Sequence, residues 1–311
     1  MGSTSVPPAL RRARPLLGTV VEIGLRWPDG VVDGTGPLAG PGGAWRADAA
    51  NAALEAAFAA IHHAQACLSR SDPDSDLSRF QALGAGQRLA VRTVTRQVLA
   101  AAQALQLASD GLFDISLGSA PAGWWLDGAW LEKRCSAVRL DLGGIGKGHA
   151  VDLAVQALQH HGAAAGWVNA GGDLRVFGDL DLTVQLRHAG GGARLFGHLR
   201  DGAFATSAFG PGQRSRLVGR GVGRGVGGAV GGAVGGAVGV LVQTAAARTG
   251  RLHPGGSAAK RRAADAAHVS VAAPLCLWAD ALTKLVAASG NPAHALLAQH
   301  GASAWWHGVP P

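Results

Sequence analysis

Leu140-Asp141-Leu142-Gly143-Gly144-Ile145-Gly146-Lys147-Gly148-His149-Ala150-Val151-Asp152 is the stretch that decides the reading of this chain. Val138, Leu140 and Leu142 alternate with Arg139 and Asp141, which predicts a strand running into a glycine-rich turn. Gly148–His161 then predicts a helix, closed by Gly162. Strand, turn and helix in succession mark a soluble mixed α/β protein. Glycine lets a backbone approach a ligand closely, and a helix N-terminus offers free N–H groups with partial positive charge. Lys147 adds a full positive charge. Together these groups suit a pyrophosphate, with tight backbone packing as the other reading. The spacing is not that of a Walker A loop, because His149 follows Lys147-Gly148, and it is not G-x-G-x-x-G in its usual register.

Two further stretches carry chemistry. In Asn169-Ala170-Gly171-Gly172-Asp173, Trp167-Val168 enter as a strand and Leu174 and Val176 leave it. This is either a plain hairpin turn or a turn that presents polar groups to the same ligand. In Trp278-Ala279-Asp280-Ala281-Leu282-Thr283-Lys284, acid precedes base by four residues on a predicted helix. That order favours a solvated ion pair worth a few tenths of a kcal/mol; the alternative places Asp280 on a hard cation beside a phosphate.

Around these motifs the chain has 311 residues, enough for one large domain or two intimate ones. Apolar residues make up 48% and charged residues 15%, so most of it should fold. The net charge of +8 favours anionic partners, or reflects arginine drift in an Ala-, Gly- and Arg-rich composition. Cys67, Cys135 and Cys276 show no metal or disulfide spacing and read as small core residues. Neither a secretory signal nor a transmembrane span is visible, so a cytoplasmic location is expected.

Val21, Ile23 and Leu25 predict a strand, and Leu54, Phe58, Ile61 and Leu68 predict a helix over 47–68, with Gln65 interrupting its stripe. His62 and His63 read as surface residues. Further helices are predicted over 94–108, 275–289 and 293–300, and strands over 268–272 and 302–307. Residues 211–266, with three tandem Gly-Gly-Ala-Val copies, read as a flexible low-complexity insertion. Residues 1–14 read as a disordered terminus.

Taken in order, D-L-G-G-I-G-K-G-H-A-V-D, V-N-A-G-G-D-L-R-V-F-G and C-L-W-A-D-A-L-T-K resemble the FAD:protein FMN transferases, the ApbE-type flavin transferases also called thiamine biosynthesis lipoproteins. Leu17-Gly18-Thr19, the stretch 68–80, Gly111–Ser116 and Ala205-Thr206-Ser207 add to the likeness, which runs from about residue 15 to residue 290. It implies an α+β fold, mixed sheets with packed helices around a central FAD cleft, over residues 15–311. It also implies transfer of FMN from FAD to a Thr or Ser hydroxyl of an acceptor flavoprotein, with AMP leaving. By resemblance, Gly18, Thr19, Asp114, Gly143, Gly144, Lys147, His149, Asn169, Gly171, Gly172, Asp173 and Ser207 would line the FAD site. Asp280 would bind Mg²⁺ with the backbone carbonyl of Gly146.

The chain departs from the family pattern at three places. The Thr that the family places four residues after the metal Asp is Lys284 here, whose ammonium either replaces the metal's charge or pairs with Asp280. Of the family's H-x-x-D-P-x-T-G loop only Arg248-Thr249-Gly250 remains, with Gln243 where the His is expected and Ala246 at the Asp. Glutamine cannot take a proton at neutral pH, so general-base assistance worth about 10²–10⁴-fold falls to another group, with His253 nearby in sequence. His149 stands where the family has an aromatic, and could stack on a flavin or ribose. The alternatives to a transferase are a relative that binds or hydrolyses FAD without transfer and, more remotely, a basic nucleic-acid-binding protein, for which no motif is present.

Overall fold

The computed structural model describes residues 10–26, 43–187, 192–209, 240–244 and 268–307. In chain order these form β1 (Leu10–Leu16), β2 (Thr19–Arg26), α1 (Gly43–Leu68), α2 (Asp76–Ala82), β3 (Arg88–Ala90) and α3 (Thr93–Ala108). There follow β4 (Trp124–Asp127), β5 (Trp130–Lys133), α4 (Gly146–His160), β6 (Ala165–Ala170), β7 (Asp173–Arg187) and β8 (Ala193–Ala208). The chain ends with β9 (Val240–Thr244), β10 (His268–Ala273), α5 (Cys276–Ser289), α6 (Ala295–Gln299) and β11 (Ser303–His307).

Eight strands make the main sheet, in the order β1-β2-β6-β7-β8-β10-β11, with β9 against the second half of β7. A smaller sheet runs β3-β5-β4. The class is α+β, as expected. Every described pairing is antiparallel. Tight turns such as the one between β6 and β7 join neighbouring strands directly, without the long crossover that parallel neighbours need.

The main sheet has buried apolar side chains on both faces, the second cluster coming from its own strands. On one, Leu54, Phe58 and Ile61 of α1 and Val151, Val155 and Leu158 of α4 pack on Val21, Ile23 and Val168. On the other, Trp167, Leu174, Val176, Leu182 and Val184 pack with Phe196 and Phe204. A further cluster joins α2, α3 and the small sheet to Leu282 and Leu285 of α5. Because Cys276 and Ala279 of α5 belong to the α1–α4 cluster, this helix is the seam between the two bodies of core. Among the described residues no helix is long and apolar enough to cross a membrane.

Three sequence readings change. Leu10–Arg14, expected to be disordered, belong to β1, in register from Leu10↔Leu25 to Leu16↔Thr19. The stretch Leu-Arg-Arg-Ala-Arg-Pro-Leu lacks an apolar face and is held from outside. The Arg11 guanidinium bonds Glu22 at 2.5 Å and lies 5.5 Å from the Trp167 ring, and that of Arg14 lies 4.5 Å from the Phe58 ring. Secondly, Val138, Leu140 and Leu142 are buried as their alternation implied, yet the segment joins neither sheet. Single bonds hold it instead: Asp141 N–H donates to Ile115 C=O at 2.7 Å, and Gln81 Nε2 donates to Leu140 C=O at 2.9 Å. Thirdly, within 211–266 the segment Val240–Thr244 forms β9, antiparallel to Leu182–Leu186; the remainder of that stretch lies outside the described residues.

The interruption in the α1 stripe has a physical reason. Gln65 Oε1 accepts the Leu17 N–H at 2.6 Å, so this polar side chain holds the β1–β2 turn that carries Gly18 and Thr19.

Candidate functional site

The glycine-rich segment is braced before α4 begins. Asp141 Oδ1 accepts the Gly143 N–H at 2.8 Å, and its other oxygen pairs with Arg70 at 2.9 Å. Gly143 is left exposed at the head of α4. As the second residue of the helix, Lys147 reaches across to Asp173, the first residue of β7, and forms an ion pair with it. The two glycine turns recognised separately in the sequence are therefore joined by a charge pair.

Asn169 closes the second turn: its Oδ1 accepts the Gly172 N–H at 3.1 Å. Gly171 has φ +64°, and a Cβ built there would lie 2.4 Å from Thr19 Oγ1. Thr19 thus packs on this turn, bringing the β1–β2 corner to the same place. Gly171→Ala should cost about 1–2 kcal/mol for the left-handed backbone alone, more if Thr19 cannot move aside. Comparing urea midpoints of Gly171→Ala with and without Thr19→Ala, which removes the Oγ1 in the way, separates the two contributions.

A second charge pair lies on α5. Lys284 Nζ donates to Asp280 Oδ1 at 2.6 Å and to Ser207 Oγ of β8 at 2.7 Å. Ser207 Oγ is also 2.8 Å from Thr283 Oγ1, which donates to Asp280 C=O at 2.7 Å. The other Asp280 oxygen accepts the Gly148 N–H at 3.2 Å, so α5 docks on the first turn of α4. The alkyl chain of Lys284 runs beside Gly144, where an added Cβ would lie 3.2 Å from Lys284 Cε.

The four charges act on one another. Burial opposes the Lys147 charge, but Asp173 and Asp280 outweigh it and hold its pKa above the ordinary lysine value. Burial also opposes the Asp280 charge, and there Lys284, Lys147 and the Gly148 N–H hold the carboxyl below its usual range. Asp173 is pushed the other way, upward, by burial and by the Asp280 charge. Two ammonium groups and two carboxylates thus make a locally neutral cluster, with Lys147 about one-third exposed at 35%.

The Mg²⁺ expectation does not fit this arrangement. One Asp280 oxygen is held by an ammonium and the other by an amide. Among the described residues no group of three His, Cys, Asp or Glu side chains is placed to hold an ion. Gly146, expected to lend its carbonyl, is simply the first residue of α4.

Other expected residues serve the framework. Asp114 accepts bonds from Ser116 N–H at 2.7 Å, Ser116 Oγ at 2.8 Å and Gly118 N–H at 2.9 Å, shaping the turn whose Ile115 holds Asp141. Gly18 sits in the β1–β2 turn at φ +68°. His149 is buried and bonds the Val94 backbone at the start of α3, so its described contacts do not bring it to the charge cluster. Gln243 lies in β9 opposite Thr183, and His253 lies outside the described residues.

His149 leads to a pH prediction. Burial holds it below the ordinary imidazole value of 6.5. Between the unfolded and folded pKa values the unfolded chain binds the extra proton, so stability is lost as pH falls through that window. Burial shifts His300 in the same direction. Urea midpoints measured from about pH 7.5 to about pH 5 should fall less steeply in His149→Gln than in the parent chain, with the remaining slope partly from His300.

Sequence reasoning passed over Asp152, the last residue of the quoted motif. Its oxygens accept the N–H groups of Cys276 at 2.9 Å and Leu277 at 2.8 Å, the first residues of α5, and it pairs with Arg175 at 2.6 Å. It caps one helix from another and thereby positions Asp280 and Lys284. A carboxylate one turn beyond a Gly-Lys-Gly helix start was the visible signal, but the two amides it caps are over 120 residues away in sequence.

A family model described as the ApbE family matches residues 17–129 and 123–214, more than half of the chain. The matched residues include Lys147, Asn169–Asp173 and Ser207. Among solved structures, the flavinyl transferase ApbE of Pseudomonas stutzeri in its apo form is 18% identical, with a TM-score of 0.65 over 97% of this chain and 92% of that one. The flavin transferase ApbE of Vibrio cholerae is 18% identical, with a TM-score of 0.58 over 90% and 87%. The ApbE protein of Thermotoga maritima is also 18% identical, at 0.58 over 89% and 85%. At such identities the likeness is one of fold. No curated protein matches the chain.

Proposed function

Because the chain belongs to the ApbE family, we propose that it is an FAD:protein FMN transferase, which moves FMN from FAD to a Thr or Ser hydroxyl of an acceptor flavoprotein and releases AMP. The single observation that carries the reading is the convergence of both glycine turns, Lys147 and the Asp280–Lys284–Ser207 chain at the first turn of α4. The flavin transferase names of the structural relatives support it.

In the reaction the acceptor oxygen bonds to the FMN phosphorus. The bond from that phosphorus to the bridging oxygen breaks, AMP leaves with the electron pair, and the hydroxyl proton passes to a base or to solvent. Such displacement is mostly positioning and charge stabilisation. With the Gly143 amide held by Asp141, the Gly144 amide and Lys147 would hold the pyrophosphate, while Thr19 and Asn169–Asp173 would shape the far wall. Lys284 would stand beside Gly144 and Ser207.

The test is incubation with FAD, Mg²⁺ and a peptide carrying a flavinylation Thr, read by mass spectrometry. A peptide heavier by one FMN moiety with equimolar AMP is expected, and Asp280→Ala should lose both. A second reading has one observation in its favour, the occupation of both Asp280 oxygens within the protein. It is an FAD-binding or FAD-hydrolysing relative without transfer, and FMN plus AMP with an unlabelled peptide, or FAD bound and left intact, would support it.

A further inference from the structure

We propose that the Lys284 ammonium takes the place of a divalent cation, so that this site accepts a nucleotide pyrophosphate without metal. The inference rests on the flavin reading above and concerns how that site neutralises its ligand.

Three observations carry it. Lys284 Nζ sits 2.6 Å from Asp280 Oδ1, the length of a charge-assisted bond, and its third contact, Asp280 C=O at 3.3 Å, keeps it at the carboxylate end of α5. The second Asp280 oxygen is bound to Gly148 N–H, the amide whose glycine packs directly on α5. An ion on that oxygen would have to share it with this amide. Finally, the neighbouring carboxylate, Asp173, is already matched by Lys147. A hard dication needs several oxygen ligands and keeps its own waters. Here it would meet one carboxylate whose two oxygens each already accept a hydrogen bond, and two like charges.

The position also suits the role. Lys284 runs beside Gly144, on the turn whose amides face the proposed pyrophosphate. Its contact with Ser207 Oγ at 2.7 Å, together with burial to 13% exposure, fixes the ammonium in one place, as a bound ion would be fixed. The lysine is covalently part of the chain, so chelators cannot remove it.

The experiment titrates FAD into the full chain by flavin fluorescence, in EDTA and in excess Mg²⁺, alongside Mn²⁺ electron paramagnetic resonance on the same protein. The expected FAD Kd differs less than about 2-fold between the two buffers, and no Mn²⁺ binds stoichiometrically with FAD present. Lys284→Thr should bind FAD about 10-fold more weakly in EDTA and recover in Mg²⁺. If that variant does not fold, the unsubstituted chain alone decides the matter through the two metal readings. Tightening of 10-fold or more by Mg²⁺ in the parent chain, or one Mn²⁺ per chain, would overturn the inference while leaving the flavin reading intact. Absence of FAD binding in both buffers would overturn the flavin reading and this inference with it.

Discussion

Gly148→Ala should cost more than about 3 kcal/mol of folding free energy, beyond the usual 1–3 kcal/mol of an overpacked core. A Cβ there would lie 2.2 Å from the Cys276 carbonyl oxygen and 2.7 Å from its carbon. Both are backbone atoms at the start of α5, so no side chain can swing away. The helices would have to separate, and the Gly148 N–H bond to Asp280 and the Asp152 cap would go with them. Gly146→Ala, two residues earlier, is the control. Its nearest neighbours would be Leu68 Cδ1 at 3.5 Å and Leu142 Cβ at 3.6 Å, ordinary contacts. That variant should stay within about 1 kcal/mol of the parent, the difference in helix propensity between glycine and alanine. Urea unfolding of the pair checks the claim; similar midpoints for both variants would sink it.

Asp152→Ala should be nearly as damaging, at about 3–5 kcal/mol, because it leaves a buried charge unpaired. The side chain is 4% exposed and satisfies two amides of α5 along with Arg175. Asp152→Asn should recover part of the loss, since an amide oxygen can still cap but cannot balance the guanidinium. Equilibrium urea unfolding gives the ordering: parent above Asn above Ala. A loss below about 1 kcal/mol in Asp152→Ala would mean that α5 is seated by other contacts.

Much of the site was legible in the sequence because its parts are local. A glycine turn that opens a helix announces itself within ten residues, and so does a tight hairpin such as Asn169–Asp173. Helix α3, Thr93–Ala108, lies where a helix was expected over 94–108, and Asp110 and Gly111 just beyond it take positive φ. What escaped reading depends on partners distant in the chain. Strand β8 contains the run Asp-Gly-Ala-Phe-Ala-Thr-Ser-Ala, weak strand formers whose extension comes from pairing with β7 and β10 on either side. The small sheet consists of strands of three or four residues, below the length at which alternation is informative. Strand β1 has five consecutive exposed residues, so no hydrophobic pattern could mark it.

The misplaced strand at 138–142 shows a general limit. Alternating burial was read correctly there, but alternation reports which side chains turn inward, not whether the backbone finds a ladder. The pairing of Asp280 with Lys284 was foreseeable from i, i+4 spacing. Its consequence was not, because it depends on Gly148 and Ser207, which arrive from α4 and β8. The metal expectation carried over from the motif is a poor fit to the geometry at Asp280.

A crystal structure of the protein grown with FAD bears most directly on whether these turns form a dinucleotide site. The pyrophosphate oxygens are expected within about 2.7–3.2 Å of the Gly144 amide and of Lys147 Nζ. FAD seated elsewhere in the fold, with Lys147 still closed on Asp173 and no ligand atom near Gly144, would contradict the assignment.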